Sequence, residues 1–420
     1  MVEKRVLNNG VRVLIEKLPH LRSCAVGIWA ESGSRHETPD VSGISHFIEH
    51  MLFKGTETKS ARDLACAFDE IGGQVNAFTG RDHTCYYART TDEHLMRAFT
   101  LLLDMYVRPA FDKKETDLER GVIFEEIDMY EDTPDDLCSE LLSQAIYKGD
   151  PLGMPVLGTK ESLSGITPEI LRQYHAKRYT AERTVVSLCG KLKDGDIDKI
   201  CALLESVPGG GEKARDGAVK YIPSVVLKRK KIEQNHIVLG FEGVPLGDPD
   251  RFVMQALNNI LGAGMSSRLF QEVREKHGLC YSVYSYCANY EGAGMLGIYT
   301  GLSAENEKDA VNMILSICKK MKAGDVTGEE LSRSREQLKT TLLMGMESTV
   351  SRMTTIARNE MVYGREVSED ELIEGINSVR REDIARLANR VFVPEKTSFS
   401  AVGAVAKKSE YLALLQDIRL

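Results

Sequence analysis

The chain has 420 residues, 42% of them apolar and 28% charged, with a formal net charge of -8. That is enough apolar side chain for a sizeable core in two domains or more, and the acidic balance excludes a basic field for nucleic acid or anionic lipid. No apolar run reaches bilayer length, and nine singly placed cysteines without a CxxC pair exclude a disulfide framework or a thiolate zinc site.

In chain order, the first element is a pair of strand-like runs around "NNG", a hairpin signature, starting almost at residue 2. The first twenty residues lack the apolar stretch of a signal peptide, so the expected location is the cytoplasm, where the cysteines stay reduced. "GISHFIEHMLFKG" then reads as a helix. His46 and His50 stand four residues apart, one turn on a single face, so both imidazoles can point at one ion, and Glu49 lies beside them. This is the H-x-x-E-H order of a zinc hydrolase. The two histidines act as ligands there, and a carboxylate that touches the water without ligating the metal serves as general base, the place Glu49 takes. The other reading is a core helix that happens to carry two histidines, and a third ligand decides between them.

Two strand-like runs, "VNAFTG" and "TCYYART", and an apolar helix, "HLMRAFTLLLDMYV", come next. The acidic helix "KKETDLERGVIFEEIDMYED" offers the third ligand. Glu119 and Glu126 are seven apart and share a face with Val122, Ile123 and Tyr130, while Glu125 neighbours Leu118, Val122 and Met129. Periodicity leaves Glu125 and Glu126 both open.

A stretch with a glycine triplet and a proline at each end, "ESVPGGGEKARDGAVKYIPS", reads as a linker. It divides the chain into two nearly equal domains, residues 1–205 and 225–420, joined by residues 206–224. The second half repeats the order of the first, with "IVLGFEG", "FVMQALNNILGAG", "CYSVYSYCA", "GMLGIYTGL" and two long helical runs. Laid on the first half, it puts Gln255 at His46, Asn258 at Glu49, Asn259 at His50 and Lys339 at Glu126, so only one copy carries the ionisable set. The basic run "LKRKK" at 227–231 reads as a solvated strand edge or linker end.

"GISHFIEHMLFKGT" together with "ERGVIFEEI" resembles the M16 metallopeptidases, the inverzincins that include pitrilysin, insulin-degrading enzyme and the β subunit of the mitochondrial processing peptidase. The resemblance runs over nearly the whole chain. It implies that the third zinc ligand lies six residues after Arg120, at Glu126, and that Glu119 holds a ligating histidine in its tautomer and orientation. "GGQVNAFTGRDHTCYYA" resembles the family's edge strand, where Asn76 and Ala77 hydrogen-bond an extended peptide by strand addition. "GMSSRLFQEVREKHGLCYSVYS" resembles the segment that supplies an arginine and a tyrosine, here Arg274 and Tyr281, to grip a substrate carbonyl and stabilise the oxyanion. The implied whole is α+β, two homologous domains that each hold a mostly antiparallel sheet with packed helices, arranged as a clamshell, with one zinc ion per chain and hydrolysis of peptides or unfolded segments in a closed chamber. Self-association follows, as a homodimer or with a homologous subunit. The rival expectation is a non-catalytic or partner-dependent subunit of a processing-peptidase-like complex.

Overall fold

A computed structural model of the chain describes residues 2–210 and 219–416. The middle of the expected linker, residues 211–218, lies outside the described residues.

The first sheet has six strands: β1 (Glu3–Val6), β2 (Arg12–Lys17), β3 (Ser23–Ala30), β4 (Gln74–Thr79), β5 (Thr84–Thr91) and β6 (Thr184–Gly190), in the order β1-β2-β6-β3-β5-β4. β2 and β6 run parallel, with Val13 opposite Val186, and every other pair is antiparallel. The second sheet has five: β7 (Val225–Arg229), β8 (Asn235–Glu242), β9 (Ser282–Tyr290), β10 (Ala293–Leu302) and β11 (Ser398–Gly403), in the order β7-β11-β8-β10-β9. Its single parallel pair is β7 with β11. Without β1, the two sheets have the same strand order and directions, so the repeated sequence pattern is a repeated topology. The hairpin of β1 and β2 turns at Gly10, whose φ of 99° is open to glycine at little cost. The basic run begins on β7, at the edge of its sheet, and its last two lysines, Lys230 and Lys231, follow the strand.

The sheets divide the chain into two compact units, and the division differs from contiguous domains of 1–205 and 225–420. Residues 128–153 belong to the unit of the second sheet, and residues 343–368 belong to the unit of the first. The reason lies in the strands. β3, "SCAVGIWA", and β6, "TVVSLCG", are apolar at nearly every position, so both of their faces need cover. One face, through Cys24, Val26, Ile28 and Ala30, packs with the helices Ile44–Leu52 and Leu95–Val107. The other, through Ala25, Trp29, Val185 and Cys189, is closed by Met353, Ile356 and Ala357 of helix Thr349–Tyr363.

That helix is also pinned by ion pairs at its rim: Arg352 to Glu16 at 2.5 Å, and Glu360 to Lys4 at 2.7 Å. Gly27 leaves room for it, since a Cβ there would stand 2.5 Å from Met353 Sδ. In the second unit, Ile237, Leu239 and Phe241 of β8 face that unit's own helices. Val238, with Val402 and Tyr299, meets Leu137, Cys138, Leu142 and Ile146 of helix Pro134–Ile146. Each sheet thus takes its second cover from the other half of the sequence.

Candidate metal centre and active site

Helix Ile44–Leu52 carries the motif, packs against edge strand β4, and is set by an unusual start. Its N-cap is Gly43 at φ 90°, with no side-chain cap of its own. The open amides at the helix start are met by Glu37, six residues upstream. Gly43 N–H donates to Glu37 Oε2 at 2.6 Å and Ser45 N–H to Oε1 at 2.8 Å. Gly43 also lies against backbone, and a Cβ there would be 2.6 Å from Leu157 O.

Burial pushes the Glu37 carboxyl up to about 7, against the pull of its two amide donors and Arg178. The folded protein therefore holds this proton more tightly than the unfolded chain. The resulting stability is complete below about pH 4.5 and is lost as pH rises to about 7. Urea unfolding from pH 4.5 to 8 should show the wild type losing roughly 3 kcal/mol that Glu37→Gln does not lose. Parallel curves for the two proteins would contradict this.

The long helix Lys113–Glu131 supplies the carboxylates, with Thr116, Glu119 and Ile123 on its buried side. Arg120 fixes it, donating to the carbonyls of Leu163 at 3.1 Å and Ile166 at 2.7 Å, with its guanidinium 5.9 Å from the Phe47 ring centroid. Of the two glutamates left open by periodicity, Glu125 is exposed and Glu126 is half-buried and turned to the histidines. His46, His50 and Glu126 each bring one ligand atom within 4.8 Å of the others, and among the described residues no other such group occurs.

Glu126 Oε2 lies 3.8 Å from His46 Nε2 and 3.6 Å from His50 Nε2. These spacings are too long for hydrogen bonds. They are close to the ~3.3 Å that separates ligands about 2.0–2.1 Å from a tetrahedral zinc.

The electrostatics fit a cation. Burial, then the neighbouring His50, lowers the His46 pKa to about 3, so its imidazole is neutral with a lone pair to give. His46 Nδ1 is buried without a hydrogen-bond partner among the described residues. Burial also pushes His50 down, but its hydrogen bond to Glu119 and the charges of Glu119, Glu126 and Glu49 outweigh that and leave it raised. Glu119 Oε1 lies 2.8 Å from His50 Nδ1, and Lys54 Nζ is 2.6 Å from Glu119 Oε2. Burial raises Glu119, and its bonds to His50 and Lys54 reverse this and keep it ionised. An ionised Glu119 accepts a hydrogen bond from His50 Nδ1–H, which holds the proton on Nδ1 and leaves Nε2 as the lone-pair nitrogen.

Glu49 is turned toward β4, where Thr79 Oγ1 donates to its Oε2. Its pKa is raised, chiefly by burial. Asn76 and Ala77 lie on β4, whose outer rim has no strand partner; Asn76 Oδ1 accepts the Ala77 amide at 2.8 Å. Arg274 and Tyr281 lie in the second unit, with the guanidinium 5.1 Å from the Tyr281 ring centroid and Tyr281 77% exposed. Arg274 belongs to a π-helical stretch, Phe270–Lys276. At the positions matched to the motif, helix Arg251–Gly262 packs on edge strand β9 and carries Gln255, Asn258 and Asn259.

Sequence reasoning missed Glu37, Lys54 and Thr79. Thr79 had a signal, since period-two alternation puts it on the same face of β4 as Ala77. Glu37 had none, because it acts through the loop that precedes the helix.

Known proteins carry the same architecture. Two family models match in succession: insulinase (peptidase family M16) over residues 12–160, and the peptidase M16 inactive domain over residues 165–338. A protein of Bacillus subtilis (strain 168) named as the uncharacterized zinc protease YmxG is 43% identical over 395 residues, which is 94% of this chain and 97% of that one. The chain belongs to peptidase family M16.

An uncharacterized zinc protease of Streptomyces coelicolor, SCO5738, is 36% identical over 97% of this M16 chain and 90% of its own. Among solved structures, a peptidase M16 inactive domain from Pseudomonas fluorescens superposes with a TM-score of 0.90 at 21% identity, covering 96% of this chain and 98% of that one. A chain of Complex III2 from Candida albicans superposes at 0.84 with 19% identity, covering all of both chains. These likenesses show the M16 fold of two sheets with packed helices, and family and relatives together place the chain among zinc peptidases. Among the described residues no helix is long and apolar enough to cross a membrane.

Proposed function

We propose that the protein is a zinc-dependent endopeptidase, with one zinc ion per chain held by His46, His50 and Glu126. The observation that carries this reading is their convergence at metal-ligand spacing. Zinc in that place supplies Lewis acidity to a water and to a substrate carbonyl. Glu49 takes the proton of the attacking water, and its burial raises its proton affinity toward that task. Glu119 keeps His50 oriented, and the open rim of β4 receives an extended peptide at Asn76 and Ala77. The peptide must displace Asn76 Oδ1 from the Ala77 amide to pair there.

Arg274 and Tyr281 take the roles the family resemblance implies, gripping a carbonyl and stabilising the oxyanion. The chamber that goes with the resemblance limits substrates to peptides and unfolded segments, and the same resemblance supports a homodimer or a pairing with a homologous subunit. A cytoplasmic setting is supported by the described cysteines, all of them free.

One observation favours a second reading, a non-catalytic or partner-dependent subunit: the fold is shared with a chain of Complex III2. Metal removal separates the two. The purified protein should hold about one zinc per chain, cleave quenched fluorescent peptides, lose cleavage on dialysis against a chelator, and regain it with zinc. Zinc without cleavage would favour the subunit reading, and a protein that holds no zinc would end the enzyme reading.

A further inference from the structure

Thr79 closes the edge strand and is the one hydrogen-bond donor to the Glu49 carboxylate among the described residues, through Oγ1 to Oε2. Its own place is fixed by the sheet. It pairs across the strand with Thr84, a fully buried residue whose Oγ1 donates to Ser32 O at 2.8 Å and lies 3.4 Å from Thr79 Oγ1. The base is thus tied to the sheet through the Thr79 hydroxyl, on a strand held in register by its pairing with Thr84, and the tie leaves from the strand whose outer rim is open.

We propose that Thr79 is a positioning residue for peptide cleavage. By occupying Oε2 it holds Glu49 in one orientation and leaves Oε1 as the oxygen that works. One O–H bond of the attacking water breaks as its oxygen bonds to the carbonyl carbon, and that proton passes to Oε1. The same proton then moves to the amide nitrogen as the C–N bond breaks, which returns Glu49 to its carboxylate and releases an acid and an amine. Thr79 lies two residues beyond Ala77, so the strand that aligns the substrate also aligns the base, and a shift in one carries the other with it. This role rests on the zinc-peptidase reading of the site.

The test measures kcat, KM, bound zinc and melting temperature for Thr79→Val and Thr79→Ser, in the wild-type and the Glu49→Asp backgrounds. Valine keeps the branched shape and loses the hydroxyl, so kcat should fall about 10- to 100-fold while KM stays within about threefold and zinc is retained. Serine keeps the hydroxyl and should bring kcat back within about threefold of the wild type. In Glu49→Asp the shorter carboxylate already retracts from Thr79, so adding Thr79→Val should change kcat by less than about twofold. An equal loss in both backgrounds, or a wild-type kcat in Thr79→Val, overturns the proposal. If Thr79→Val does not fold, the same cycle is run with Thr79→Ala against Thr79→Ser. A zinc-loaded wild type that cleaves no peptide overturns the peptidase reading and this role with it, and wild-type activity tells that failure from the failure of Thr79 alone.

Discussion

Replacing Glu49 by glutamine is expected to leave the zinc in place and to lower kcat about 1,000-fold. Glutamine has the same shape, and its carbonyl oxygen can still accept from Thr79, so the helix and the three ligands should stay where they are. An amide cannot take the proton of the attacking water, which removes the base and little else. KM should change by no more than about threefold, because Glu49 is assigned no part in holding the peptide. Stability should hold or rise, since burial opposes the charge on Glu49 and the amide carries none. Zinc by elemental analysis and kcat on one fluorogenic peptide suffice; a Glu49→Gln protein with its zinc and a wild-type kcat would remove Glu49 from the chemistry.

Gly43→Ala should be the most damaging small substitution in the site. The residue holds φ 90°, a region that costs an L side chain about 1–2 kcal/mol by itself. The added Cβ would also meet Leu157 O at 2.6 Å and Gly158 Cα at 2.8 Å, both backbone atoms that cannot swing aside. Relief requires moving the start of helix Ile44–Leu52, and that movement breaks the Gly43 and Ser45 amide bonds to Glu37 and carries His46 away from His50 and Glu126. A loss of roughly 3–5 kcal/mol in urea unfolding is expected, with zinc affinity down at least about tenfold in competition against a chromophoric chelator. An unchanged unfolding midpoint would show that the loop 157–158 yields instead.

What the sequence made legible was what a single helix or strand decides. His46, Glu49 and His50 could be placed together because helical geometry is local, and the strand and helix order of both halves could be read for the same reason. The choice between Glu125 and Glu126 is not local, because both border apolar neighbours; it depends on how the long helix rolls over Phe47, with Ile123 turned inward, once Arg120 is anchored to the carbonyls of Leu163 and Ile166. Lys54 and Thr79 depend on contacts between elements far apart in sequence, for which no spacing rule exists. The exchange of covering helices was hidden for a related reason. An amphipathic pattern such as that of residues 349–363 shows that a face is buried without saying against which sheet, although the doubly apolar strands "SCAVGIWA" and "TVVSLCG" already required a second layer.

That exchange sets a timetable for synthesis. The first sheet is complete in the growing chain once β6 ends at Gly190, but the helix that covers Trp29, Val185 and Cys189 ends at Tyr363, about 170 residues later. At ~5–20 residues per second, the ribosome leaves that apolar face bare for roughly 10–30 s. The nascent chain therefore presents a half-finished sheet with one bare apolar face, a state prone to aggregation, until helix Thr349–Tyr363 emerges. Truncation before residue 349 should yield aggregates instead of a smaller folded protein.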